Sequence, residues 1–185
     1  MPIRSDSEDR FPGLLIRPVQ PEELGRLCAF AETTFRVAWQ ADNEPEPFEQ
    51  YCRTQFHPDH LQAEMAVPGV EFYFVLLDEA LVAYLKLHTR HSPPDWPHGP
   101  ALQLVRIYVE QSAQSLGLGA RLLAFVEDRA RATGAGWVWL SVWQKSPRSI
   151  AFYQKNGYDI FGVETFWVGD DPQPDWLMCK PLDAG

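Results

Sequence analysis

The stretch Gln103–Arg131 constrains this chain more than any other. It opens with an apolar segment rich in β-branched residues, Leu104–Val109, and passes through a short polar turn, Glu110–Ser115. Two glycines, Gly117 and Gly119, follow, and then Leu118, Leu122, Leu123, Phe125, Val126 and Ala130 recur at helical spacing. The order is strand, glycine loop, helix. A helix N-terminus presents unpaired N–H groups and the positive end of the helix dipole. Glycine lets a ligand approach the backbone. Such a unit is built to hold an anion, and a phosphate suits it best. The lysine followed by Ser or Thr of a Walker A loop is missing. Leu122 stands where a dinucleotide-binding loop has its third glycine.

The flanking chain alternates in the same manner. Leu14–Val19 reads as a strand punctuated by Pro18 and Pro21. Pro21-Glu22-Glu23 opens a helix with Leu24, Leu27, Cys28 and Ala31 inward, and Thr33–Trp39 continues it as helix or irregularly. Ala41–Glu49 carries Asp42, Glu44, Glu46 and Glu49 with Pro45 and Pro47, and reads as an acidic loop before a helix over Phe48–Phe56. Asp59 is the expected cap of a further helix through Ala66. Glu71–Leu77 and Leu81–Leu87 form a hairpin around Asp78-Glu79. A loop with four prolines, His88–Pro100, leads to the strand Leu102–Val109. The long helix stops at Gly134-Ala135-Gly136, and the apolar run Trp137–Trp143 predicts a central strand buried on both faces. Ser146-Pro147 has N-cap and N1 chemistry for a helix to Asn156, with Gly157 as its stop. Tyr158–Val168 and Trp176–Pro181 are the last strands. This order predicts an α/β fold, with a mixed, mostly antiparallel sheet of about seven strands and helices on both faces. Residues 1–12 read as a flexible arm and 13–185 as one domain.

A net charge of −9 argues against nucleic acid or an anionic membrane as partner. Cys28, Cys52 and Cys179 are few, odd in number and widely spaced, so no disulfide framework or zinc spacing emerges. They read as buried thiols of a reducing compartment, and a cytoplasmic location is expected. The polar N-terminus shows no secretory signal, and no apolar run has the length of a membrane span. His57/His60 and His88/His91 have a spacing that can serve a metal, but no third ligand accompanies either pair. No metal is expected. Trp137, Trp139 and Trp143 share one strand parity and read as core rather than as a substrate cage.

Gln114-x-x-Gly117-x-Gly119 resembles the Q/R-x-x-G-x-G/A signature of the GNAT N-acetyltransferases, whose fold has this element order. Leu104-Val105-Arg106-Ile107-Tyr108-Val109 resembles the L-x-R-I-Y-V strand of a bacterial branch that includes spermidine N-acetyltransferases. Leu140-Ser141-Val142-Trp143, Ala151-Phe152-Tyr153-Gln154-Lys155-Asn156-Gly157-Tyr158, Glu71-Phe72-Tyr73-Phe74 and Ala83-Tyr84-Leu85-Lys86-Leu87 resemble further segments of that branch. The likeness spans roughly Leu14 to Leu182.

The resemblance implies acetyl-CoA as cosubstrate and direct attack by a bound amine, with a polyamine as one candidate acceptor. It implies that amides of Gln114, Ser115, Leu116, Gly117, Leu118, Gly119 and Ala120 hold the pyrophosphate. Backbone at Tyr108 and Val109 would pair with pantetheine where two strands splay, and an N–H near Val109 would polarise the thioester carbonyl. Tyr153 falls where the family places a tyrosine that protonates the departing thiolate. Ser146 replaces the branch's usual coenzyme-contacting asparagine, and Arg148 replaces a small or amide residue and is read as facing solvent. No general base emerges; Glu110, Glu71, Glu32 or a water chain could serve. The acidic Asp42–Glu49 stretch could draw in a cationic acceptor. The alternatives are a protein N-terminus, an amino acid or an aminoglycoside as acceptor, or a non-catalytic acyl-CoA-binding module. Monomer and homodimer both stay open.

Overall fold

The computed structural model describes residues 11–183; the first ten residues of the expected arm lie outside them. Phe11 packs against the main core. The elements are β1 (Leu14–Pro18), α1 (Leu24–Trp39), α2 (Pro45–Gln55), α3 (Pro58–Met65), β2 (Val70–Leu77), β3 (Ala80–His88), β4 (Ala101–Val109), α4 (Leu118–Ala132), β5 (Trp137–Trp143), α5 (Pro147–Lys155), β6 (Asp159–Val168) and β7 (Asp171–Pro181). They build a seven-stranded sheet in the order β1-β2-β3-β4-β5-β7-β6. All neighbouring pairs are antiparallel except β4 with β5.

The two larger apolar cores among the described residues lie on opposite faces of this sheet, and a smaller one gathers Ala101, Trp139 and Cys179. One holds Leu118, Leu122, Leu123, Val126 and Ala130 of α4 against Leu85, Leu87, Leu102 and Leu140. The other holds Leu27, Ala31 and Phe35 of α1 with Phe48, Cys52 and Leu61 against Phe72, Phe74 and Tyr84. The alternation of side chains along β2–β4 divides residues between the two.

Several boundaries differ from the sequence reading for local reasons. The acidic stretch is not a loop throughout: α2 starts at Pro45, because proline in a first helical turn forfeits only an N–H that has no helical partner. Thr33–Trp39 is regular helix. His57, not Asp59, caps α3, its ring nitrogen accepting from the Asp59 amide at 3.3 Å. Asp78 and Glu79 both have positive φ, 48° and 68°, which is the turn geometry that matches strand twist. The polar segment after β4 forms a 3₁₀ turn, Gln111–Leu116. β7 begins five residues before Trp176, at Asp171, and runs through Pro172 and Pro174. Its ladder with β5 starts only at Asp175, so both prolines lie beyond that ladder, where a missing donor costs little; the Pro174 carbonyl still accepts from the Gln144 amide at 3.0 Å. Trp137–Trp143 is interior to the sheet, yet Trp137, Ser141 and Trp143 keep partial exposure.

Candidate active site

The parallel neighbours β4 and β5 touch through three register pairs, Ala101↔Trp137, Leu102↔Val138 and Gln103↔Trp139. Beyond them the strands part. Leu104–Val109 stay paired to β3, and Leu140–Trp143 stay paired to β7, so each arm of the split turns an unpaired backbone edge toward the other. At the end of β4 the Glu110 amide donates to the Val82 carbonyl at 2.8 Å, on the β3 side. Amides alternate along a strand, so the Val109 N–H points the other way, into the split. The Val109 carbonyl accepts from the Gln114 side chain at 3.0 Å, which ties the following turn to the strand.

A groove of about 910 Å³ enters the split from the helix side. Tyr108, Val109, Gln114, Gly119, Ser146, Arg148 and Phe152 line it. Gly117, at φ +83°, is the left-handed hinge between the 3₁₀ turn and α4. A β-carbon on Gly119 would come within 2.9 Å of the tip of the Phe152 ring, so any larger residue there must displace that ring. The side chain of Leu118 is fully buried in the core and Leu116 is exposed; only backbone from Leu118 could meet a ligand. Ser146 is the N-cap of α5 without a side-chain cap bond, because its hydroxyl donates to Ser149 Oγ at 2.8 Å. Arg148 is exposed, as expected, but on the lip of the groove.

The groove meets a second cavity of about 500 Å³ on the other side of the split. Trp39, Tyr108 and Tyr153 line both. The Trp39 indole donates to the Tyr108 hydroxyl at 2.9 Å, and Tyr108 stacks on Tyr84 with 5.7 Å between rings. Tyr153 is 8% exposed, and burial pushes its phenol well above the ordinary value. It therefore keeps its proton across neutral pH.

The cavity walls hold charge of both signs. Asp175 on β7 lies opposite Trp143 of β5 and Glu164 of β6 in the ladders. It is 6% exposed. Burial, with the Glu164 charge added, pushes its carboxyl up to about 7, and the nearby Ser141 hydroxyl offsets only part of that. Asp175 Oδ1 and Trp143 Nε1 are both buried without a hydrogen-bond partner. Across the split, Lys86 of β3 and Arg106 of β4 are register partners and share one carboxylate. Glu64 of α3 takes Lys86 at 2.5 Å and Arg106 at 2.9 Å.

Of the three acids that could serve as base on sequence grounds, two are engaged elsewhere. Glu71 is held by Arg129 and Tyr73, Glu32 is held by Arg36, and neither lines the groove or the cavity. Glu110 sits in the groove with Ser112 on its carboxylate. Asp175 was missed because no local pattern marks it. Trp143 faces the cavity, which corrects its reading as core. Among the described residues no cluster of His, Cys, Asp or Glu could hold a metal ion, and no helix is long and apolar enough to cross a membrane.

The sheet split beside a glycine-hinged helix, with a cavity behind the split, joins two recesses from opposite sides of one sheet. The comparisons give the family. Residues 28–158 match the profile of the acetyltransferase (GNAT) family. An uncharacterized N-acetyltransferase of Lactobacillus delbrueckii subsp. lactis is 32% identical over 170 residues, 92% of this chain and 98% of that protein. The N-acetyltransferase PaiA of Thermoplasma acidophilum, solved in complex with coenzyme A, superposes with a TM-score of 0.73 at 20% identity, over 92% of this chain and 99% of that one. A spermidine N-acetyltransferase chimera from Vibrio cholerae and hSSAT superposes with a TM-score of 0.64 at 14% identity, over 92% and 96%. The chain belongs to the GNAT acetyltransferase family, and it is an acetyl-CoA-dependent N-acetyltransferase.

Proposed function

We propose that the protein transfers the acetyl group of acetyl-CoA directly to a primary amine of a small molecule seated in the 500 Å³ cavity, within a ternary complex. The observation that carries this is the meeting of groove and cavity at Tyr108 and Tyr153. Donor and acceptor reach the same point from opposite sides of the sheet. The coenzyme supplies an activated thioester. The residues fit it: amides of Gln114–Ala120 at the hinge suit a pyrophosphate, and the free edge of β4 at Tyr108 and Val109 suits the peptide-like arm. The Val109 N–H, aimed into the split, serves as the oxyanion donor. Ser146 donates its hydroxyl to Ser149 and is left out of the donor contacts in this reading.

Asp175 is the base in this reading. A carboxyl that titrates near neutrality can take a proton from an ammonium without holding it permanently. The C–N bond forms as the C–S bond breaks. The ammonium nitrogen loses two protons; one leaves through Asp175, and the other balances the proton that Tyr153 gives to sulfur. Burial keeps Tyr153 protonated, and the same burial raises the basicity of a thiolate beside it, so the transfer stays matched.

The polyamine reading has weaker support. Of the four acids in the Asp42–Glu49 stretch, Glu49 is locked to Arg36 by two bonds of 2.6 and 2.9 Å. The likeness to the spermidine enzyme concerns fold. The test is thiol release from acetyl-CoA with a panel of primary amines, with products identified by mass. Amine-dependent release supports transfer. Coenzyme A binding by calorimetry without release for any amine would favour a binding module instead.

A further inference from the structure

The charges of the cavity are sorted by side of the split. On the β3/β4 arm Lys86 and Arg106 form one cross-strand row, and both line the cavity. Their side chains are 10% and 11% exposed, and the carboxylate they share, Glu64, is 17% exposed. Arginine does not deprotonate. Burial and the neighbouring Arg106 pull the Lys86 ammonium below its ordinary value, against the pull of Glu64. Burial pushes Glu64 up, but Arg106 and Lys86 outweigh it and hold the carboxyl below its usual range. Two cations thus face one anion, which the His60 ring also approaches at 3.4 Å, on the wall of the cavity, and a second anion there would complete the pairing.

On the β5/β7/β6 arm the row Trp143–Asp175–Glu164 carries two carboxyl groups, and no cation lies within salt-bridge reach of either among the described residues. The cavity therefore offers an excess positive charge on one wall and excess negative charge on the other. A plain diamine would place its second ammonium against Lys86 and Arg106, and like charges in a low-dielectric recess repel strongly.

We propose that the acceptor is a small amino-carboxylate, its carboxylate completing the Lys86–Arg106–Glu64 cluster and its amine lying against Asp175. This rests on the acyl-transfer reading above and adds the substrate class to it.

The test compares matched probes in the thiol-release assay. β-Alanine, 4-aminobutyrate and 6-aminohexanoate form a series of increasing length; each is paired with the amine lacking its carboxylate and with the diamine that replaces the carboxylate by an amine. One amino acid is expected to show kcat/KM higher than both of its twins by roughly 10- to 100-fold, the worth of a buried charge-assisted contact. Lys86→Met leaves one cation to one anion and should collapse that ratio, and Arg106→Met should do the same if Lys86→Met folds poorly. Amines acetylated with no preference for a carboxylate, or a preference unmoved by both variants, would overturn the amino-carboxylate assignment while leaving the transferase reading intact. Acetylation of no amine, with coenzyme A bound, would overturn that reading and this assignment with it.

Discussion

Trp143 and Asp175 face each other across the β5/β7 ladder, and each leaves a buried polar atom unpaired beside the acceptor cavity. An indole N–H and a carboxylate oxygen without partners are costly in a folded protein. Side by side at a cavity wall, they are a donor and an acceptor held ready for a ligand.

Asp175→Asn should remove the ascending limb of the pH profile. The base works only when ionised, so kcat/KM in the parent rises with pH through a midpoint near about 7. The variant should lose about 10²–10⁴-fold at neutral pH and show no such limb. A limb that persists in the variant would assign it to the substrate's own amine.

The same substitution should change stability in the opposite sense. The native carboxyl keeps its proton up to about 7, whereas the unfolded chain gives it up near the ordinary value of about 3.9. Between these the native state binds more protons, so stability falls as pH rises. Thermal melts should show Asp175→Asn close to the parent near about pH 4 and increasingly more stable toward about pH 8. A constant gap would mean that Asp175 stays ionised in the native protein.

Tyr153→Phe keeps the ring that packs on Tyr158 at 5.9 Å and removes the hydroxyl. kcat should fall about 10²–10⁴-fold with coenzyme A affinity nearly unchanged by calorimetry. Loss confined to affinity would make Tyr153 a donor anchor.

Gly119→Ala should destabilise the fold by about 1–3 kcal/mol, because its β-carbon meets Phe152 at 2.9 Å. Shortening the obstacle in a Gly119→Ala/Phe152→Leu double variant should restore the melting temperature. If coenzyme A affinity returns with it, glycine serves packing; if affinity stays low, the ligand needs the space as well.

An amino-carboxylate is nearly neutral, so its KM should change by less than about twofold between about 0.02 and 0.5 M salt. A steep rise would reinstate steering by Asp42, Glu44 and Glu46.

The unit from β4 through Gly117 to α4 was legible because its signals are contiguous: β-branched residues, a glycine pair, then period 3.6. The Asp78-Glu79 turn was legible for the same reason. α2 was misjudged where Pro45 and Pro47 read as loop, since proline breaks a helix interior but starts one well. β7 was cut short by Pro172 and Pro174, whose tolerance depends on where β5 ends, a property of another strand. Tyr153 and the glycine loop were reached through family motifs. Asp175, Glu164, Lys86 and Arg106 come from four strands, and only register brings them to one cavity. Isolated acids and bases at alternating strand positions carry no signal of that convergence.

Three residue pairs and the Gly136 amide on the Pro100 carbonyl at 3.0 Å join β4 to β5, a short backbone link between two half-sheets. A peptide-like arm laid along the open edges would act as a missing strand, so the donor is part of the protein's architecture while it is bound. Resistance to heat and to proteases should then track the supply of acetyl-CoA, by about 2.7 kcal/mol at one hundred times the dissociation constant. Amides of Leu104–Val109 that face the split should exchange slowly only in its presence. A cell starved of acetyl-CoA would thereby hold not merely an idle enzyme but a shorter-lived one.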